Sequence, residues 1–316
     1  MDVCEAVQEY LSTLRLGPMT IVGYRQHLET FATWCQAQNI QLEAVRSKAI
    51  DQFLDHLRET CQPKKAGAEK VSSYTLSGYV RTIKTFLNWC VEDEEFSEYV
   101  KPIAVQRIKL PKTEEFVIEP FTPEQIAALF RACDQQSGRY IDLRHLRLRD
   151  KTIIALLTDT GIRAHELCTL TIANVTLEPR DAHVKVFGKG SKWREVPLGN
   201  KARKLLREYI HKFRSEVRKT ESVFVSRYHQ QLTVSGLEQI IKRLGQLAGI
   251  DGVRCSPHTF RHTFACNFMI AGGDIFDLSK FLGHSSIEVT LHYLKALSAR
   301  VIRLRKAFQS ALDNLR

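Results

Sequence analysis

Pro102, Pro111 and Pro120 fall within one short stretch, PIAVQRIKLPKTEEFVIEP, that mixes charges and shows no helical period. No regular helix or central strand runs through such a segment, because proline lacks the backbone N–H and pushes its predecessor toward extended geometry. The chain must therefore fold on both sides of it, and its 316 residues exceed what one ordinary core organises. We read two domains: residues 1–105, a linker at 106–120 within the proline stretch that opens at Pro102, and residues 121–316.

The two sides differ in pattern. Before the prolines, apolar residues recur at spacings of three and four with no alternating run, which predicts an all-helical domain. Thr20, Tyr24, Leu28, Phe31 and Trp34 share one helix face; Leu76, Val80, Ile83, Leu87 and Cys90 share another; the polar segment 62–73 between them reads as a loop. After the prolines, Thr122-Pro123-Glu124-Gln125 offers an N-cap, a proline at the first helical position and a capping box. The periodicity then predicts a helix over Leu148–Leu170. Val184–Phe187 and Arg194–Leu198, joined by a turn at Gly188–Lys192, read as a β-hairpin, with helices beyond. The fold class is mainly α, with a small antiparallel β-sheet in the second domain.

Charge narrows the partners. The net +11 is uneven: residues 1–110 hold 13 basic and 14 acidic side chains, a net of −1, and the remainder holds 33 against 21, a net of +12. A polyanion is thus expected on the second domain, although a solvated basic surface has the same composition. No apolar run approaches the ~18 residues of a membrane span. The amino terminus is acidic rather than basic-then-apolar, which argues against a secretory signal. Eight scattered cysteines without a CxxC pair fit reduced thiols in the cytoplasm.

Three segments concentrate cations and imidazoles. In TGIRAHEL, Arg163 precedes Glu166 by three residues, either as a guanidinium held by an internal carboxylate or as a surface ion pair. In SPHTFRHTFA, Ser256 caps and Pro257 opens a helix, so His258 and Arg261 lie one turn apart near a helix start, where an anion is welcome. Cys255, His258, His262 and Cys266 also follow one side of that helix, which raises zinc. Each turn rises about 5.4 Å, so four ligands on successive turns are too dispersed to surround one ion, and no metal or cofactor is assigned. In LGHSSIEVTLHY, Ser285 and Glu288 form a capping box, and the helix they begin carries Tyr293 two turns in. A helical tyrosine is most often a packing residue; its company singles this one out.

Arg163 in TGIRAHEL, Lys189 in GKGSKWREVPL, His258 and Arg261 in HTFRHTFA, His284 in LGHSS and Tyr293 nine residues later together resemble the tyrosine recombinases, or phage-type integrases. The resemblance spans nearly the whole chain and implies a C-shaped clamp: a helical core-binding domain at 1–105, marked by Thr20, Tyr24, Leu28 and Phe31, and a catalytic domain at 121–316. It implies that Tyr293 attacks a DNA phosphodiester, that Arg163 and Arg261 grip the phosphate, and that His284 donates to it. His258 then assists the proton at Tyr293, Lys189 protonates the leaving 5′ oxygen, and Glu166 supports the site. It further implies a 3′-phosphotyrosine intermediate without ATP or metal, a homo- or hetero-tetramer joining two duplexes with inverted-repeat core sites through a Holliday junction, and cytoplasmic, nucleoid-associated work with no small-molecule substrate.

Candidate DNA contacts are Arg81 and Lys84 on the first domain, Lys192 and Arg194 on the hairpin, and Gln239, Lys242 and Arg243 on a helix at 235–247, the candidate for the major groove. Val301, Leu304, Phe308, Leu312 and Leu315 form an amphipathic tail that docks on a neighbouring protomer or covers its own domain. The chain opens directly on the core-binding pattern, which favours a Xer-like or transposon-type enzyme without an arm-binding domain. Leu294 and Val289 replace threonines frequent in the family, at peripheral positions. Three alternatives stand beside this reading: a topoisomerase of the same chemistry, a non-catalytic DNA-binding relative and a zinc-binding regulator.

Overall fold

The computed structural model describes residues 1–61, 71–113, 118–136, 143–188, 192–284 and 286–295, the last four as backbone alone. The chain divides into two compact units, Met1–Phe116 and Val117–Arg316.

Unit 1 is helical: α1 (Val3–Thr13), α2 (Pro18–Ala37), α3 (Ser47–Thr60), α4 (Ser73–Glu92) and α5 (Pro102–Gln106). The Asp2 side chain caps α1 and the Ser72 side chain caps α4, each accepting a bond from a free N–H of the first turn. The stripes of α2 and α4 meet over a core of Leu28, Phe31, Phe53, Val80, Ile83 and Phe86, all inaccessible to solvent. Burying each phenylalanine contributes about 1.5–3 kcal/mol. The proline stretch departs from expectation at its start. Pro102 takes the first helical position of α5, where its missing N–H costs nothing, and Val105 and Ile108 are buried in the core of unit 1.

Unit 2 begins with α6 (Pro123–Asp134), whose Thr122–Gln125 capping box forms as expected, followed by α7 (Leu143–Thr160) and α8 (Ala164–Cys168). The expected continuous helix over Leu148–Leu170 is therefore broken. Gly161 has φ +58°, in the left-handed region, and a side chain there would lie 2.5 Å from the ring of Phe264. Next come β1 (Val175–Thr176), β2 (His183–Gly188) and β3 (Lys192–Pro197), an antiparallel sheet in the order β1-β2-β3. Val184, Val186 and Val196 face the core. Phe187 pairs with Trp193 on the exposed face, their rings 5.2 Å apart.

α9 (Asn200–Phe213), α10 (Val234–Leu247), α11 (Pro257–Ile270), α12 (Ile275–Leu282) and α13 (Ile287–Lys295) complete the described unit. α7 is its central helix, with Ile153, Ile154, Leu156 and Leu157 buried. It also holds the buried pair Arg149–Asp150 (2.7 Å); Arg149 further donates to Val225 O, and Asp150 further accepts from Gln136 and Arg243. Among the described residues, no helix is long and apolar enough to cross a membrane.

Candidate active site

The break after α7 creates the first half of the site. Arg163 is the N-cap of α8, with extended backbone (φ −72°, ψ 154°), so its side chain leaves the helix axis and projects sideways. Glu166, three residues on, accepts from Arg163 N (2.7 Å) and from the Arg163 guanidinium (3.0 Å). It also receives a fork from β3: Arg194 Nη1 and Nη2 meet its two oxygens at 2.7 Å each. Glu166 is 2% exposed. Burial pushes its carboxyl upward, but the bonds from Arg194 and Arg163 outweigh it and hold the group ionised below the ordinary carboxylate range.

The end of α12 supplies the other half. Gly283, left-handed at φ +64°, lets His284 N reach Ser279 O (3.1 Å) and its own N reach Lys280 O (3.0 Å), a Schellman termination. The next three carbonyls each receive a different guanidinium. Phe281 O accepts from Arg194 (2.7 Å), Leu282 O from Arg261 (2.6 Å) and Gly283 O from Arg163 (2.9 Å). Cations at a helix carboxyl terminus satisfy its orphan carbonyls and oppose the negative end of its dipole.

Arg261, on α11, is 4% exposed and also donates to Gly161 O at the break after α7 (2.9 Å). Its Nη2 lies 2.9 Å from His284 Nε2, and His284 Nδ1 lies 2.8 Å from the hydroxyl of buried Thr290 on α13. Burial first, then Arg261, Arg163 and Arg194, hold the His284 imidazole down at about 4, so it is neutral near pH 7. Because guanidinium only donates, Nε2 accepts from Arg261 in this structure. His258 stands on the first turn of α11, its ring reaching solvent beside the buried Pro257, Thr259 and Phe260. Desolvation there, then Arg261 and Arg254, lower its pKa. Ser256 and Pro257 cap and open α11 as expected.

Arg163, Glu166, Arg261 and His284 are thus brought together, with His258 on the helix that carries Arg261. Lys189 lies outside the described residues. Gly188, the residue before it, abuts the site: a side chain there would lie 3.3 Å from Glu166 Oε1 and 3.7 Å from Arg163 Nη1. Tyr293 is in α13, its side chain outside the described residues, as are Ser285 of the expected capping box and the tail from 296 onward. The zinc set does not assemble: among the described residues, no cluster of three His, Cys, Asp or Glu could hold a metal ion.

The expected DNA contacts divide. Arg81, Lys192, Gln239, Lys242 and Arg243 are exposed. Lys84 donates to Ile108 O (3.1 Å), tying α4 to the chain beyond α5, and Arg243 reaches Gln136 and Asp150 from α10. Arg194 is corrected most: with its side chain 12% exposed and its guanidinium held by Glu166 and Phe281, it is an internal strut. The sequence carried a signal for this, since Arg194 shares strand parity with inward-facing Val196. Thr290 was missed, because a threonine in a helix normally bonds its own backbone.

Three guanidiniums against one carboxylate leave two net positive charges around a neutral imidazole. Arg163, 32% exposed, uses two of its five N–H groups on side chain and carbonyl partners among the described residues, so it retains donors for an oxyanion. The profile of the phage integrase family matches residues 119–300. The tyrosine recombinase XerD of Haemophilus ducreyi is 31% identical over 314 residues, covering 96% of this chain and 96% of the relative. XerD of Pseudomonas aeruginosa is 31% identical over 289 residues, covering 90% and 89%. Among solved structures, the XerH site-specific recombinase bound to palindromic difH substrate in a post-cleavage complex superposes with a TM-score of 0.74 at 20% identity, over 93% of this chain and 81% of that one, a likeness of fold.

Proposed function

The chain belongs to the phage integrase family of site-specific tyrosine recombinases, and on that footing we propose that Tyr293 is its nucleophile and that Arg163, Arg261 and His284 receive the scissile phosphate of duplex DNA. The observation that carries the reading is the convergence of two arginines, ninety-eight positions apart in sequence, and a histidine on the carboxyl end of α12, just before the helix of Tyr293. Phosphodiester cleavage needs a barrier reduction on the order of 20 kcal/mol, and fixed charge is the main source available here.

The tyrosine oxygen attacks phosphorus, and the resulting phosphorane carries two negative charges, matched by the two net positive charges of the site. The bond to the 5′ oxygen then breaks. Lys189 gives that oxygen a proton, and the phenolic proton, with an ordinary pKa of about 10, passes toward His258 in a positive field. The 3′-phosphotyrosine retains the bond energy, so a 5′ hydroxyl from another strand can reverse the step without a nucleotide. Glu166 holds both the Arg163 and Arg194 guanidiniums in place and takes no part in proton transfer. Exposed Gln239 and Lys242 on α10 address the groove or its phosphates, and Arg81 and Lys192 contact phosphates. The working assembly we propose is a tetramer on two duplexes with inverted-repeat core sites, in the cytoplasm at the nucleoid, as the resemblance of the motifs to the tyrosine recombinases implies.

The test is a duplex drawn from the DNA flanking the gene, nicked near the cleavage position so that the cut strand diffuses away. Wild type should yield a covalent protein–DNA band, and Tyr293→Phe should abolish it with DNA affinity within about 2-fold, the change being one hydroxyl. A band that persists in Tyr293→Phe defeats the assignment. Exchange between two marked duplexes separates recombination from relaxation alone.

A further inference from the structure

We propose that Thr290 is a positioning residue: its hydroxyl keeps the proton of His284 on Nδ1 and so presents a basic Nε2 at the guanidinium of Arg261. The importance of this for phosphate handling rests on the function proposed above. The bonding itself follows from geometry. Arg261 Nη2, 2.9 Å from Nε2, has no lone pair to offer, so Nε2 supplies one; the ring proton of the neutral imidazole is then on Nδ1, 2.8 Å from Thr290 Oγ1. Thr290 is fully buried on α13, where water does not replace it as acceptor.

This arrangement makes His284 responsive to an entering anion. Among the described residues, the charged groups around it include Arg261 from α11, Arg163 at the start of α8 and Arg194 from β3, with Glu166 between the last two. They and burial favour the neutral ring. A phosphodiester oxygen that takes the Arg261 donor frees Nε2 and offsets the local positive charge, so a proton from solvent binds Nε2 and is donated to the phosphate. Throughout, Nδ1–H remains bonded to Thr290, and the ring does not turn. Thr290 lies three residues before Tyr293, so one helix seats both the imidazole and the nucleophile.

Nitrogen NMR of histidine-labelled full-length protein, with His284→Gln to identify the signal, reads the tautomer directly. Wild type and Thr290→Ser should show a neutral Nδ1–H ring at pH 7 that titrates near 4, the value burial and the three arginines impose. Thr290→Val, equal in shape but without the hydroxyl, should show mixed tautomers. On the nicked duplex, Thr290→Val should form adduct roughly ten- to a hundredfold more slowly, the loss expected for one unsatisfied buried donor, with a shifted pH profile and unchanged DNA affinity. Thr290→Ser should recover the rate. A Thr290→Val protein with the wild-type tautomer, or with the wild-type rate and pH profile, overturns the proposal. Absence of adduct in wild type itself would instead strike the functional reading and leave the tautomer result standing.

Discussion

Glu166 shows how much one carboxylate holds at this site. Its two oxygens receive an N-cap amide, the Arg163 guanidinium and the Arg194 fork, and without them the cations would be partly buried and unbalanced. Breaking one partner of a buried pair costs about 3–5 kcal/mol, far more than an exposed pair such as Lys212–Glu208 contributes. Glu166→Gln should therefore lower the unfolding free energy read from a urea titration by that order and slow adduct formation, whereas Glu208→Gln should change neither; equal unfolding free energies for the two variants would contradict this account. The residue-level reading of the sequence located Arg163, Glu166, Arg261 and His284 because each lies in a short, chemically unusual segment. It misplaced Arg194, which faces inward on a short strand whose neighbours on either side are exposed. Thr290 was invisible for a related reason: its partner His284 is six residues back across a helix end, a spacing that no helical periodicity marks.

At the scale of elements, the site is organised by the end of α12. A Schellman turn satisfies two carbonyls and three arginines take the next three, so the loop to α13 is held from α8, β3 and α11 at once. Gly283 permits this by its left-handed backbone, and an added Cβ would also meet the Arg194 guanidinium at 3.0 Å. Gly249 has a similar φ of +63° with no atom within 4 Å. Gly249→Ala should cost only the backbone term, about 1–2 kcal/mol, with the adduct rate unchanged. Gly283→Ala should show that cost and a loss of adduct formation of about tenfold or more, since Arg194 must move away from Phe281 O and Glu166. Matching rates in the two variants would show that the turn does not position the site. The helices and hairpin were legible from periodicity and capping. The break in the expected helix over Leu148–Leu170 was not, because what fixes Gly161 is the ring of Phe264, a hundred residues away. The helical start of the proline stretch was missed because Pro102 both ends extended segments and opens helices; burial of Val105 and Ile108 decides between the two.

For the whole molecule, two cores and an uneven charge make a joint prediction. Each unit buries its own phenylalanines and aliphatics, Phe31, Phe53 and Phe86 in one and Phe224 and Phe260 in the other, so each has the means to unfold cooperatively by itself. The three tryptophans distinguish them. Trp34 and Trp89 pack in unit 1, while Trp193 on β3 is already exposed, so fluorescence follows unit 1 and circular dichroism follows both. Thermal melts should therefore give a dichroism curve that departs from the fluorescence curve. Duplex DNA of arbitrary sequence should act unevenly, because residues 1–110 carry a net of −1 and the remainder +12. Ligand that binds only the folded form raises its stability, and binding through phosphates weakens steeply with salt. DNA at low salt should move the transition seen only by dichroism upward by more than the fluorescence transition, whose unit offers Arg81 but no net positive charge, and added salt near 0.5 M should remove both shifts, the screening length there being only a few ångströms. Coincident curves that shift together would mean that the units unfold as one, and a shift confined to fluorescence would place the polyanion grip on the near-neutral unit instead.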